Sequence, residues 1–149
     1  TSNDLRGPAS QITGKRFFDR VAIGSYAMDI HGLSGCRYPA YIASAGHETL
    51  PFYIPFRALT NRDVPNLLVA GKTIAQSFLA NAATRLHPIE WATGTAAGAA
   101  AAHMGRWSLS SRAALEAIED IQTVVKARTP IDWTIDGKVY PAAGERGVH

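Results

Sequence analysis

The chain has 149 residues, 46% of them hydrophobic and 18% charged, with a net charge of +3. That size and apolar share suit a single packed domain and exclude a disordered chain. The 15 Lys and Arg residues are scattered without a run of five, which argues against a nucleic-acid surface. Cys36 is the only cysteine, so neither an intrachain disulfide nor a thiolate metal site can be built from this chain alone, and no metal site is expected.

The chain opens on Thr1-Ser2-Asn3-Asp4, without methionine and without a signal-peptide pattern, which predicts a processed or cut product of something longer. Residues 1–20 read as a polar lead-in. Val21-Ala22-Ile23 predicts a short strand, followed by loops at Gly24, Gly32 and Gly35, and a second short strand is expected around residues 38–43. Phe52-Tyr53-Ile54-Pro55-Phe56-Arg57-Ala58-Leu59 is an aromatic extended segment in which Pro55 blocks helix and favours an edge. Asn66-Leu67-Leu68-Val69-Ala70-Gly71 is a continuous apolar run ending at glycine, the pattern of a strand buried on both faces.

An alanine-rich helix is predicted over residues 88–103, started by Pro88 and stopped at Gly105, with Gly94 and Gly98 on one face. A second, amphipathic helix begins near Ser110, the candidate cap, presents Leu115, Ile118, Ile121 and Val125, and ends at Pro130. Asp136-Gly137 between two β-prone runs predicts a C-terminal hairpin. No window approaches the roughly 18 consecutive apolar residues of a membrane span.

Strand, glycine, loop and Pro-started helix over residues 66–102 form the constellation with chemical content. A helix start offers unpaired N–H groups and positive dipole, and a glycine lets backbone approach a ligand closely. Ile54-Pro55-Phe56-Arg57-Ala58-Leu59, Val64-Pro65-Asn66-Leu67-Leu68-Val69-Ala70-Gly71-Lys72, Ala83-Thr84-Arg85-Leu86-His87-Pro88 and Gly94-Thr95-Ala96-Ala97-Gly98 follow in order, preceded by Ser25-Tyr26-Ala27-Met28-Asp29-Ile30-His31-Gly32. Over residues 20–104 this series resembles the C-terminal half of a family of FAD-dependent oxidoreductases. They are flavoproteins of the glutathione-reductase-like superfamily, including proteins labelled xanthan lyases.

The resemblance implies an α/β (or α+β) fold, a partial Rossmann-like FAD-binding unit, and an activity in which FAD takes a hydride from a small-molecule substrate. It places Ala70, Gly71 and Lys72 near the ribityl–pyrophosphate part of FAD. Arg85, Leu86, His87, Pro88 and the amides of Ile89 and Glu90 then come near the ring, with Gly94 further along the helix. Positive charge and helix-end amides there would stabilise the anionic reduced ring. His31 and His87 are the proton-transfer candidates, and Arg57 is a candidate for orienting an anionic substrate.

The sequence departs from the family pattern in one large respect: it has no Gly-x-Gly-x-x-Gly strand–turn–helix for the pyrophosphate. Gly32-Leu33-Ser34-Gly35 is no substitute, because no helix follows it. The expectation is therefore one domain, 1–149, forming the C-terminal segment of a flavoprotein: a flavin-side region over 20–104 and a helix-plus-hairpin extension over 105–149. The N-terminal FAD-binding portion, or another chain, is the expected partner, and alone the chain should hold FAD weakly or not at all. Plainer readings stand beside these. Arg85 and His87 could cap a loop and pair with Glu90, Asp29 and His31 could share a loop-stabilising hydrogen bond, and Gly94 and Gly98 could be a helix-packing face. Cys36 reads as a buried small apolar residue, and His47 and Glu48 have no recognisable context. The alternative function is a non-catalytic scaffold or partner domain that binds no flavin.

Overall fold

The computed structural model describes residues 1–6, 14–31, 35, 37–40, 48–128, 134–135 and 138–139. The elements in chain order are α1 (Ser2–Arg6), β1 (Arg20–Gly24), β2 (Phe52–Pro55), a 3-10 turn (Phe56–Leu59), a second 3-10 turn (Gly71–Thr73), α2 (Phe78–Thr84), α3 (His87–Trp107), α4 (Ser111–Glu116), α5 (Ile118–Arg128), β3 (Thr134–Ile135) and β4 (Lys138–Val139). Strands β1 and β2 pair antiparallel, with Ala22 opposite Ile54, Ile23 opposite Tyr53 and Gly24 opposite Phe52. The register slips between Arg20 and Ala22. Both strands are buried almost throughout, because α3 and α5 cover β1 and α1 packs on β2.

The long helix dominates the packing. Ile89, Thr93, Ala96, Ala100 and Met104, three or four residues apart, form its buried stripe. Small side chains there let α3 lie close to the sheet, and the tightest point is Gly24. A Cβ on that residue would stand 2.5 Å from the Phe52 ring and 2.7 Å from Ile89 Cδ1. Glycine is the one residue that allows this contact.

Polar groups lock the layers together. Gln122 of α5, buried, donates from Nε2 to the carbonyls of Phe18 (2.8 Å) and Arg20 (2.9 Å), so one side chain serves two backbone acceptors near β1. Asp19, with 0% exposure, receives Nε (2.9 Å) and Nη2 (2.7 Å) of Arg57 and the Arg57 backbone amide (3.0 Å). A buried carboxylate with three donors is a satisfied one.

The predicted strand over residues 66–71 does not form. Leu68 makes only an isolated bridge to Thr60, and Leu67 is exposed. A run apolar on both faces needs cover on both faces and a neighbour at each edge. Among the described residues only one flank is provided.

The Gly105 stop also moves. Gly105 stays helical and α3 ends at Ser108, which takes the left-handed conformation (φ 52°) and donates its N–H to the Met104 carbonyl. The single amphipathic helix predicted after Ser110 is two helices, broken at Ala117. Ser110 caps the first of them by accepting from the Ala113 amide at 3.2 Å. Residues 37–39 belong to no strand, and residues 41–43 of that predicted strand lie outside the described residues. Thr134 pairs with Val139 and Ile135 with Lys138, as the hairpin expectation requires; its Asp136-Gly137 turn lies outside the described residues. Helices α1 and α2 are additional to the elements that the sequence predicts. Ser77 caps α2 by accepting from the Ala80 amide.

Candidate functional site

The start of α3 lies open. Arg85 and Leu86 are half-buried, His87 and Pro88 exposed, and no side chain caps the helix. The Leu86 carbonyl takes the amides of both Ile89 and Glu90 at 3.0 Å, so these two donors are already engaged. Pro88 has no N–H. The His87 amide is therefore the first-turn donor without a partner among the described residues. The Ile89 side chain turns inward to the core, and only its backbone belongs to this surface.

Two charged clusters flank the helix start. In the first, Asp29 Oδ2 lies 2.9 Å from His31 Nε2 and 3.1 Å from Arg85 Nη2, joining residues 56 positions apart. A carboxylate can only accept, so a neutral His31 places its proton on Nε2 and leaves Nδ1 as an acceptor. The His31–Arg85 contact at 3.5 Å is then proximity between two donors. In the second cluster, Glu90 receives His87 Nδ1 at 2.7 Å and holds Lys72 Nζ at 3.9 Å. The plainer pairings foreseen for Asp29 with His31 and for His87 with Glu90 are thus both present.

Gly71 joins the strand remnant to this surface. Its φ of +71° is strained for any side chain, and a Cβ there would lie 3.6 Å from Glu90 Oε1. The Gly71 amide donates to Thr93 Oγ1 at 3.1 Å, and Thr93 is fully buried in α3. The Lys72 carbonyl receives Gln76 Nε2 and Asn81 Nδ2, both at 3.0 Å, and Gln76 in turn accepts from the Thr84 hydroxyl. Ala70 precedes the 3-10 turn in extended conformation. Thr93, Gln76, Asn81 and Asp29's bond to Arg85 have no sequence signature, because each depends on folding that brings distant segments together.

Two of the predicted residues sit apart. Arg57 belongs to the Asp19 pair. Those hydrogen bonds lift its pKa above the ordinary arginine value against the opposing pull of burial, and the charge of Asp19 adds to the rise. Arg57 lines an apolar cleft of about 280 Å³ with Tyr53, Ile54, Ile74 and Thr84. Gly94 lies on the outer face of α3, where a Cβ would meet nothing within 4 Å. Cys36 and His47 are outside the described residues.

The electrostatics are more balanced than a bare cationic rim. Lys72 and Arg85 face Glu90 and Asp29, so with both imidazoles neutral the two clusters carry no net formal charge. What remains unbalanced is the helix dipole and the His87 amide. An uncovered helix start, a left-handed glycine beside it and two held cations fit the polar edge of a flavin ring. The cradle for its pyrophosphate is not among these residues.

Among the described residues no group of three His, Cys, Asp or Glu could hold a metal, and no helix is long and apolar enough to cross a membrane. The fold and this surface define a partial α/β FAD-binding domain. The family described as FAD dependent oxidoreductase matches residues 1–124, and the chain belongs to that family. No curated protein and no solved structure matches it. FAD is accordingly the cofactor of its family and the chain is of the oxidoreductase type.

Proposed function

We propose that this chain is the ring-facing, C-terminal part of a flavoenzyme of the glutathione-reductase-like kind. In this reading Arg85, Leu86, His87, Pro88 and the backbone of Ile89 and Glu90 meet the ring, and Ala70, Gly71 and Lys72 meet the chain that leads to the pyrophosphate. Bound FAD supplies the two-electron oxidation of a small-molecule substrate. The observation that carries the reading is the Asp29–His31–Arg85 cluster beside the uncovered start of α3.

The side chains have separable tasks. Arg85 holds positive charge where negative charge grows on the ring, and Asp29 fixes its direction. His31, oriented by Asp29, keeps Nδ1 free to receive a proton, and His87 is the second candidate, oriented by Glu90. Arg57 meets an anionic group of a substrate or ligand, away from the ring. The outer face of α3, with Gly94, packs against the N-terminal FAD-binding portion or another chain that brings the pyrophosphate cradle.

The test is the flavin itself. The protein assembled with its FAD-binding portion should be yellow, and Arg85→Gln should lower the midpoint potential of the bound flavin. Loss of about 1 kcal/mol of charge stabilisation corresponds to roughly 20 mV for a two-electron couple. A colourless assembly that rejects added FAD would establish the scaffold alternative instead. Gly71→Val should weaken FAD retention, though the strained φ makes it cost fold stability as well, so flavin content must be compared at equal folded fraction.

A further inference from the structure

His31 stands well out of the fold. Its side chain is 77% exposed, and one exposed pairing with Asp29 has little strength in water. A histidine that accepts a proton must nevertheless keep its ring and tautomer fixed. The residues that can fix it from the other side are Tyr38 and Phe78.

The segment carrying His31 is secured at both ends. Upstream, Met28 is fully buried and the Thr49 hydroxyl donates to the Tyr26 carbonyl at 2.8 Å. Downstream, the Tyr38 hydroxyl donates to the His31 carbonyl at 2.9 Å, the one hydrogen bond of the His31 backbone among the described residues. The Tyr38 ring in turn meets Phe78, with centroids 5.7 Å apart and planes tilted by 47°. That separation lies within the range of favourable aromatic pairs.

Phe78 opens α2 and Arg85 is its C-cap. Seven positions make nearly two helical turns, so the two side chains share a face about 10 Å apart. Both reach the same segment, Arg85 through its bond to Asp29 at 3.1 Å and Phe78 through Tyr38. Helix α2 thus grips the chain on either side of His31. Arg85 acts on the imidazole through Asp29, and Phe78 acts on the backbone through Tyr38. Phe78 is 54% exposed, so burial in the core does not account for its place.

From this two-sided grip we infer that Tyr38 and Phe78 are positioning residues for His31. They hold it so that Nδ1 faces outward to receive the proton a substrate loses alongside its hydride. The inference rests on the reading of His31 as a proton acceptor in the proposed flavoenzyme. Neither positioning residue touches the reacting atoms.

Histidine-ring 15N NMR tests it on the FAD-loaded assembly, with 15N-histidine in this chain alone. Spectra are recorded at about pH 8.5, well above the ordinary histidine range. His31 should show a single neutral tautomer, protonated on Nε2. Tyr38→Phe removes only the hydroxyl, and it should draw the two His31 nitrogens toward a common averaged shift. Phe78→Ala should do the same, whereas Phe78→Tyr keeps a ring and should keep the single tautomer. His87, paired with Glu90, is the internal control and should hold its own pattern throughout. The flavin midpoint potential should be unchanged in Tyr38→Phe, because Arg85 remains. The proposal is overturned if the parent already shows mixed tautomers, or if His31 keeps one tautomer in Tyr38→Phe or Phe78→Ala. It is also overturned if His87 changes with His31, since the loosening would then be general. A potential lowered as far as Arg85→Gln lowers it would overturn it too, by showing that Tyr38 acts on the whole cluster. A colourless assembly would remove the flavin reading and leave the tautomer measurement intact, so the two failures are distinct.

Discussion

The two faces of α3 are built from the same small residues and do opposite things. On the inner face, Ala96 and Ala100 are fully buried and Thr93 bonds to the Gly71 amide, so smallness brings helix, sheet and loop together. On the outer face, Trp91 is 77% exposed, and Cβ atoms on Gly94, Gly98 and Gly105 would meet nothing. Smallness there serves no contact among the described residues. The difference separates the face this chain needs in order to fold from the face that the proposed assembly would cover. The interrupted strand over residues 66–71 points the same way, since its apolar run is only half used.

Three substitutions test that separation, and their expected effects descend in size. Gly24→Val, at the point where β1, Phe52 and Ile89 converge, should cost about 3 kcal/mol or more, the upper range for overpacking. Urea unfolding measures it, and a loss under about 1 kcal/mol would show the β1–α3 contact to be far looser than described. Thr93→Val keeps the volume but leaves the Gly71 amide without its acceptor, for a cost of about 1–2 kcal/mol. The same denaturation series would show it, and an unchanged midpoint would mean water replaces the hydroxyl without penalty. Gly98→Ala should act in the opposite direction and stabilise the chain by about 0.5–1 kcal/mol, because a methyl there favours helix and touches nothing. In the assembled flavoenzyme that gain should vanish or reverse. Equal stabilisation with and without the remainder of the enzyme would show that nothing packs on this face.

Local signals in the sequence located most elements. Pro88 marks the start of the long helix within one residue, Ser110 caps the helix that follows it, and the aromatic segment at Phe52 contains β2. Less legible was whatever depends on partners. The segment 66–71 has the composition of a central strand, but composition cannot reveal that among the described residues it makes only an isolated bridge. Ser108 ends α3 in place of Gly105 because the stop is set by which residue adopts the left-handed turn, and a serine can do so at modest cost. Helix α2 is only seven residues long and lacks a clear apolar period. At the site, the family motif brought attention to Arg85 and His31 separately. The sequence pairs Asp29 with His31, whereas the bond from Arg85 to that same Asp29 emerges from the fold, as does the engagement of the Ile89 and Glu90 amides by Leu86.

The proposed contact between the start of α3 and the flavin is tested most directly by amide hydrogen exchange across residues 85–90. The open helix start should exchange quickly without FAD, the unpartnered His87 amide above all. In the assembled protein, added FAD should slow exchange in that segment markedly while leaving residues 111–128 unchanged. Stoichiometric flavin binding with no protection anywhere in 85–90 would contradict the account.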